Sequence, residues 1–244
     1  MTTDSTSREL YLDLMKKCLT RLLFSDGHSF DYSKRRQGKD WPAQAETMIG
    51  LLRLDNLQRC VIDVLEQRVP GDLIETGAWR GGATIFMRAI LKAYGDHQRR
   101  VWVADSFEGL PAPDVEQYPA DRGSELHRYE YLAVSLEEVQ SRFARYGLLD
   151  EQVRFLPGWF RDTLPTAPIE RLAILRLDGD LYESTMDALT ALYPKLSRGG
   201  YVIVDDYNDI AACKQAVTEY RNKHGITEPI QEIDWTGVFW QRQA

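Results

Sequence analysis

Long apolar runs are missing from this chain: no segment of its 244 residues approaches the roughly 18 apolar residues that cross a bilayer as a helix. The opening Met1-Thr2-Thr3-Asp4-Ser5 shows no basic segment followed by an apolar one, so the expected location is the cytoplasm, away from the membrane. Cysteine is scarce. Cys18, Cys60 and Cys213 are odd in number, far apart and outside any C-x-x-C spacing, which excludes a disulfide framework or a zinc site and leaves thiols in a reducing compartment. Dense positive charge is absent too. The formal net charge is −7 and Lys34-Arg35-Arg36 is the one basic cluster, too little to track a phosphate backbone, so nucleic acid is not an expected partner. Repeats, linkers and low-complexity tracts are also lacking, and residues 1–244 read as a single domain.

What is present, from residue 70 onward, is an alternation of short apolar runs with longer amphipathic stretches. Strands are predicted at 72–76, 100–105, 152–156, 172–178 and 201–205, with helices at 82–94, 136–146, 184–196 and 210–224 between them. This rhythm is that of β-α-β units in a mostly parallel sheet, hence an α/β fold. Residues 230–233 and 238–242, joined by Asp234-Trp235-Thr236-Gly237, suit an antiparallel pair and complete seven strands. The first 70 residues hold two amphipathic helices, one before Ser25 with Leu10, Leu14, Leu19 and Leu22 among its apolar positions, the other at 47–65. Two stretches break the rhythm. Residues 25–45 and 106–134 are rich in polar and aromatic residues, and structureless segments of that length inside a compact domain are usually functional; both are expected to be lids over a site.

Leu73-Ile74-Glu75-Thr76-Gly77-Ala78-Trp79-Arg80-Gly81-Gly82 passes from an apolar strand through a glycine-bearing turn into a helical pattern. Glycines let backbone approach a ligand closely, and the carboxyl edge of a parallel sheet faces helix N-termini. The spacing is not G-x-G-x-x-G, and Glu75 before the first glycine would repel a diphosphate while attracting a cationic or hydroxyl-rich ligand. Asp105, at the tip of the next strand, stands where an acid commonly takes up ribose hydroxyls. Glu75 and Asp105 therefore flank an adenosine without a diphosphate, and S-adenosylmethionine, with its ribose, adenine, amino-acid tail and positive sulfonium, fits. The bland alternative is a tight β-α turn with a capping acid.

Carboxylates gather again at the ends of the fourth and fifth strands, as Asp178-Gly179-Asp180 and Asp205-Asp206. Packed together without compensation they would have raised pKa values, and a divalent cation removes that repulsion. Oxygen ligands suit Mg²⁺, Mn²⁺ or Ca²⁺. Asp178, Asp205 and Asp206 are the ligand candidates, with solvated helix-capping acids as the plain alternative. Such an ion gives a hydroxyl the acidity it needs to attack a sulfonium methyl, and Asp180 is placed to accept the proton.

These residues sit in longer segments that resemble the macrocin O-methyltransferase family across nearly the whole chain: Gly71 to Ala89, Val103-Ala104-Asp105-Ser106-Phe107-Glu108-Gly109-Leu110-Pro111, Pro157 to Pro165, Leu177 to Thr185 and Val204-Asp205-Asp206-Tyr207. The resemblance implies a seven-stranded Rossmann-like class I methyltransferase fold with an antiparallel C-terminal strand, N-terminal helices and lid loops, commonly as a homodimer. It implies Mg²⁺ on Asp178, Asp205 and Asp206, and Asp180 as the base. Cofactor contacts would fall on Glu75, Thr76, Gly77, Asp105, Ser106, Gly158, Trp159 and Asp178, with Thr47 and Met48 contributing from the preceding helix. The acceptor would be a small molecule, a deoxysugar hydroxyl of a glycosylated antibiotic, with its choice made in the two lids.

Other side chains carry weaker expectations. Trp159 is placed to stack on the adenine, Arg80 to reach the methionyl carboxylate, and Tyr118, Tyr129 and Tyr131 to wall a sugar or aglycone, while His127 reads more simply as a surface residue. Competing functions are a metal-dependent glycosyltransferase using Asp178-Gly179-Asp180 as a D-x-D motif, a nicotinamide dehydrogenase that lacks its glycine fingerprint, and a binding protein that keeps the fold without chemistry.

Overall fold

The computed structural model describes residues 3–24 and 31–243. Eight α-helices and seven strands are found among them. Helices α1 (Thr3–Leu19), α2 (Tyr32–Gln37) and α3 (Leu51–Glu66) precede β1 (Asp72–Thr76), α4 (Gly82–Ala93), β2 (Val101–Asp105), α5 (Leu136–Arg145) and β3 (Val153–Pro157). The chain continues through α6 (Phe160–Thr163), β4 (Leu172–Leu177), α7 (Tyr182–Leu192), β5 (Leu196–Val204), α8 (Ala211–His224), β6 (Gln231–Glu232) and β7 (Val238–Gln241). The strands form one sheet in the order β3-β2-β1-β4-β5-β7-β6. Strands β1 to β5 run parallel and β7 is antiparallel to both neighbours. The order reverses between β1 and β4, and a ligand in such a sheet sits outside the carboxyl ends at that point.

Strand alternation divides the core into two layers. Leu73, Val101, Val103, Ile174 and Ile203 pack against α1, α3, α4 and α5, whereas Ile74, Trp102, Ala104, Leu175, Val202 and Val204 pack against α7 and α8. Each fully buried Leu or Ile contributes on the order of 1.5–3 kcal/mol through loss of apolar surface to water. The same parity continues to the strand tips. Glu75 lies two residues beyond Leu73, Arg176 two beyond Ile174 and Asp205 two beyond Ile203, so these three charged side chains share the α3 face of adjacent strands.

Several expectations are corrected. Strand β5 starts at Leu196, because Gly199 takes a left-handed φ of 81° and the register shift between Leu172 and Ile174 lets the glycine-rich run pair. Helix α3 begins at Leu51 behind Gly50, so Thr47 and Met48 belong to the loop before it. On α1 the packed stripe is Leu12, Met15 and Leu19, while Leu10 and Leu14 remain exposed. The segment 106–134 is not structureless but holds three 3₁₀ turns, Pro119–Asp121, Leu126–Arg128 and Glu130–Leu132. Of the expected lid 25–45, residues 25–30 lie outside the described residues, and the remainder contains α2. That helix is capped by Asp31, which accepts from the backbone N–H of Ser33 at 2.9 Å and of Lys34 at 3.2 Å, and is closed by Gly38 at φ 66°. No helix among the described residues is long and apolar enough to cross a membrane.

Candidate active site

A cavity of about 240 Å³ opens at the carboxyl ends of β1, β2, β4 and β5. Thr47, Met48, Glu75, Gly77, Asp105, Ser106, Gly158, Trp159, Asp178, Asp180, Asp205 and Asp206 all line it. Thr76 does not. Its hydroxyl donates to the Arg176 carbonyl at 3.4 Å and its own carbonyl accepts from the Asp178 N–H at 2.9 Å, so it serves the sheet.

The β1–β2 side is built from backbone N–H groups gathered on one acid. Asp105 accepts from Ala78 at 2.7 Å, Trp79 at 3.1 Å and Phe107 at 2.7 Å, which locks the turn after β1 to the turn after β2. Burial pushes the Asp105 carboxyl up and these three donors pull it back, with burial the stronger. Gly77 is required at the centre: its φ is 90°, and a Cβ would stand 1.7 Å from the Asp178 carbonyl oxygen. Gly82 allows a second close approach, since a Cβ there would meet the Glu46 carbonyl at 2.4 Å.

The β4–β5 side is built from acids. Asp178, Asp205 and Asp206 each bring an oxygen within 4.8 Å of the others. The acids are not uncompensated, as the sequence reading had them. Buried Arg176 donates to Glu75, to Asp178 at 2.6 Å and to Asp205, while Arg53 of α3 donates to Asp205 and, at 2.9 Å, to Asp234. Asp234 also accepts from Thr236 at 3.1 Å and Gly237 at 2.9 Å, and so shapes the β6–β7 turn. Even so, Glu75, Asp178, Asp180, Asp205, Asp206 and Asp234 outnumber the two guanidiniums. Burial pushes Glu75 up to about 8 against the pull of Arg176, and Asp178 up to about 6 with help from Asp205. Asp180 is pushed up to about 8 by burial and then by Asp178, Asp205 and Asp209, and Asp206 lies well above the usual range from burial and Asp180. One Asp206 oxygen is buried with no hydrogen-bond partner among the described residues. Excess negative charge, converging carboxylate oxygens and an unpartnered one make a donor set that a divalent cation with oxygen ligands fits.

Some expected residues stand elsewhere. Arg80 donates to the carbonyls of Ala43 at 2.7 Å and Ala45 at 2.8 Å, fastening the first lid's end instead of facing the cavity. Tyr131 lines the cavity and its carbonyl accepts from Trp79 Nε1 at 2.8 Å, but Tyr118 packs on Tyr182 with ring centroids 6.0 Å apart, and Tyr129 and His127 are outside the lining. The sequence reading missed Arg53, Arg176, Trp41, Trp235, Glu183 and Asp187, which line or cross-link the cavity. Of these Arg176 carried a signal, since a charge inside an otherwise apolar strand has to be paired.

Known proteins resemble this chain over nearly its whole length. A family model described as macrocin-O-methyltransferase (TylF) matches residues 7–242. The chain is 59% identical over 253 residues, covering 100% of it and 96% of the relative, to an 8-demethyl-8-(2,3-dimethoxy-alpha-L-rhamnosyl)-tetracenomycin-C 4'-O-methyltransferase of Streptomyces olivaceus. It is 54% identical to the mycinamicin III 3''-O-methyltransferase of Micromonospora griseorubida, covering 98% of this chain and 99% of that one. Among solved structures, the O-methyltransferase NovP superposes with a TM-score of 0.95 at 57% identity, over 97% of this chain and 100% of that one. The chain belongs to the macrocin O-methyltransferase family and is an S-adenosylmethionine-dependent O-methyltransferase with the class I fold. The glycosyltransferase reading of Asp178-Gly179-Asp180 is thereby not favoured.

Proposed function

We propose that this member of the family moves a methyl group from S-adenosylmethionine to a sugar hydroxyl of a glycosylated natural product, in a reaction that depends on a divalent cation. The observation that carries the reading is the division of one cavity into a backbone-lined half at Asp105 and an over-acidic half at Asp178, Asp205 and Asp206. The tetracenomycin and mycinamicin relatives, with a demethyldecarbamoylnovobiocin O-methyltransferase of Streptomyces niveus at 57% identity, support the acceptor class.

In this reading Asp105 holds the ribose hydroxyls, Glu75, Gly77, Ser106, Gly158 and Trp159 complete the cofactor's cradle with Thr47, Met48 and Thr76 beside it, and Asp178 belongs to both halves. Asp178, Asp205 and Asp206 would hold Mg²⁺, which when bound supplies the Lewis acidity that makes a hydroxyl proton removable near neutral pH. The acceptor oxygen attacks the methyl carbon, the carbon–sulfur bond breaks with its electron pair left on sulfur as a thioether, and the hydroxyl proton passes to Asp180. In the metal-free chain burial raises the proton affinity of the Asp180 carboxyl. Holding the two reactants in line provides most of the acceleration. The same reading keeps the enzyme in the cytoplasm, in keeping with free cysteines, and as a homodimer, for which exposed Leu10 and Leu14 offer apolar surface.

The test is product mass spectrometry on a panel of demethyldecarbamoylnovobiocin, mycinamicin III, free rhamnose and catechol, with Mg²⁺ and with a chelator. Methylation of a glycoside that stops in the chelator and returns with Mg²⁺ is expected. Transfer that is indifferent to the chelator removes the cation from the mechanism, and transfer to catechol alone removes the sugar.

A further inference from the structure

The second lid does more than cover the cavity. Its residue Asp121 is 1% exposed, although it lies in a polar loop. Its two carboxylate oxygens are spent on one target: Oδ1 accepts from the Tyr182 N–H at 2.6 Å and Oδ2 from the Glu183 N–H at 3.1 Å. Those are the first two residues of α7, whose own N-cap residue, Leu181, supplies no side-chain hydrogen bond. Helix N-termini leave their first N–H groups unsatisfied, and Asp is among the best residues to satisfy them. Here the cap comes from 61 residues away in sequence.

The loop between β4 and α7 is Asp178-Gly179-Asp180-Leu181, and Asp180 has a left-handed φ of 59° that non-glycine residues rarely hold. It is tied at its first end by the Asp178 N–H, which donates to Thr76 at 2.9 Å. At its second end the tie is the capped start of α7. The seat around Asp121 is built as well: Tyr118 packs on Tyr182 with centroids 6.0 Å apart, and the Tyr182 hydroxyl donates to Glu219 of α8 at 2.6 Å.

We propose that Asp121 is a positioning residue for Asp180: by capping α7 from the lid, it makes the shape of the Asp178–Leu181 loop conditional on the lid being seated. This rests on the methyltransferase reading in that Asp180 is taken as the proton acceptor. A lid that unseats withdraws the cap from α7 and with it one of the two ties that hold the Asp180 backbone at its left-handed φ. The Asp105 ties of the cofactor cradle lie outside this loop, and Asp178 at the loop's start is held separately by Arg176 at 2.6 Å and by its own N–H on Thr76.

The experiment compares wild type, Asp121→Ala and Asp121→Asn in the full-length enzyme with Mg²⁺. It reads kcat and KM on whichever glycoside of the panel the wild type methylates, S-adenosylhomocysteine affinity by calorimetry, and tryptic cleavage after Arg122 and Arg128 in the lid. Asp121→Ala is expected to lower kcat roughly tenfold or more, with KM and S-adenosylhomocysteine affinity within about twofold, and to speed lid cleavage roughly tenfold. Asp121→Asn, which keeps one accepting oxygen, is expected to recover most of both. The inference is overturned if kcat and cleavage are unchanged in Asp121→Ala, or if S-adenosylhomocysteine affinity falls in step with kcat, which marks general loss of structure. If the wild type methylates nothing in the panel the functional reading fails on its own, and unchanged cleavage in Asp121→Ala still overturns the latch.

Discussion

The two halves of the cavity sit on the same sheet edge and are made of opposite materials. On the β1–β2 side one acid, Asp105, is surrounded by the backbone donors of Ala78, Trp79 and Phe107. On the β4–β5 side acids outnumber the cations that reach them, and Arg53 and Arg176 are spread over Glu75, Asp178, Asp205 and Asp234. In the first half three backbone donors fix the carboxylate's position and offset part of the cost of its burial. In the second half carboxylates stay in excess of guanidiniums, and one Asp206 oxygen is buried with no hydrogen-bond partner among the described residues. An enzyme that joins a fixed cofactor to a variable acceptor has use for this asymmetry, since rigid donors set one reactant and a charged cluster activates the other.

The largest break in this comparison is Arg176→Met. It removes the guanidinium shared by Glu75, Asp178 and Asp205 and leaves buried acids facing one another, which costs about 3–5 kcal/mol in the chelated protein. Denaturant unfolding with chelator and then with Mg²⁺ reads this, and the deficit is expected to shrink when the ion is added. A loss below about 1 kcal/mol would mean that the acids are mostly protonated and that Arg176 is dispensable.

The matching break on the other side is Asp105→Asn, which keeps one accepting oxygen for the turn donors and discards the charge. The expected cost is about 1–3 kcal/mol of S-adenosylhomocysteine binding, roughly a tenfold to hundredfold weaker Kd. Mg²⁺ should not restore it. Restoration by Mg²⁺ would show that the halves are electrostatically one site.

Legibility in the sequence follows the same division. Short continuous apolar runs, punctuated by glycine, proline and acids, located the strands, because a helical layer on each face of the sheet buries successive residues of β1, β2 and β4 alike. The acids at the strand tips were legible for the same reason: a strand's end is a defined place at one sheet edge. Their counter-charges were not. Arg53 meets Asp205 across 152 residues, and nothing in the pattern of α3 names that partner, which depends on how the helix docks. Asp121 is harder still, because its partners are backbone N–H groups and leave no trace in side-chain identity. Helix α2 went unread although Asp31 and Gly38 mark both its ends, since six residues without a buried side chain show no periodicity. The apolar pattern alone extends α3 back over Thr47 and Met48, but with Gly50 as its N-cap the helix starts at Leu51, four residues after Thr47.

The smallest effect lies in the pH dependence of the chelated protein, and its sign follows from which state holds the protons. Asp178 is pushed up to about 6 and Glu75 and Asp180 up to about 8, from the ordinary carboxyl values of 3.8 for Asp and 4.5 for Glu, chiefly by burial. Between about pH 4 and pH 8 the folded chain therefore binds more protons than the unfolded chain, so stability falls as pH rises through that window. Asp206→Asn takes one acid out of the repulsion without touching the arginine network, and is expected to be more stable than wild type at pH 8 by about 1 kcal/mol, or about 2–4 °C in Tm for a chain of this size. Mg²⁺ should reverse that order, because wild type alone then keeps all three carboxylates for the ion. Thermal melts of both proteins at pH 6 and pH 8, with chelator and with Mg²⁺, decide it: parallel curves under all four conditions would mean that the β4–β5 side is as self-sufficient as the β1–β2 side.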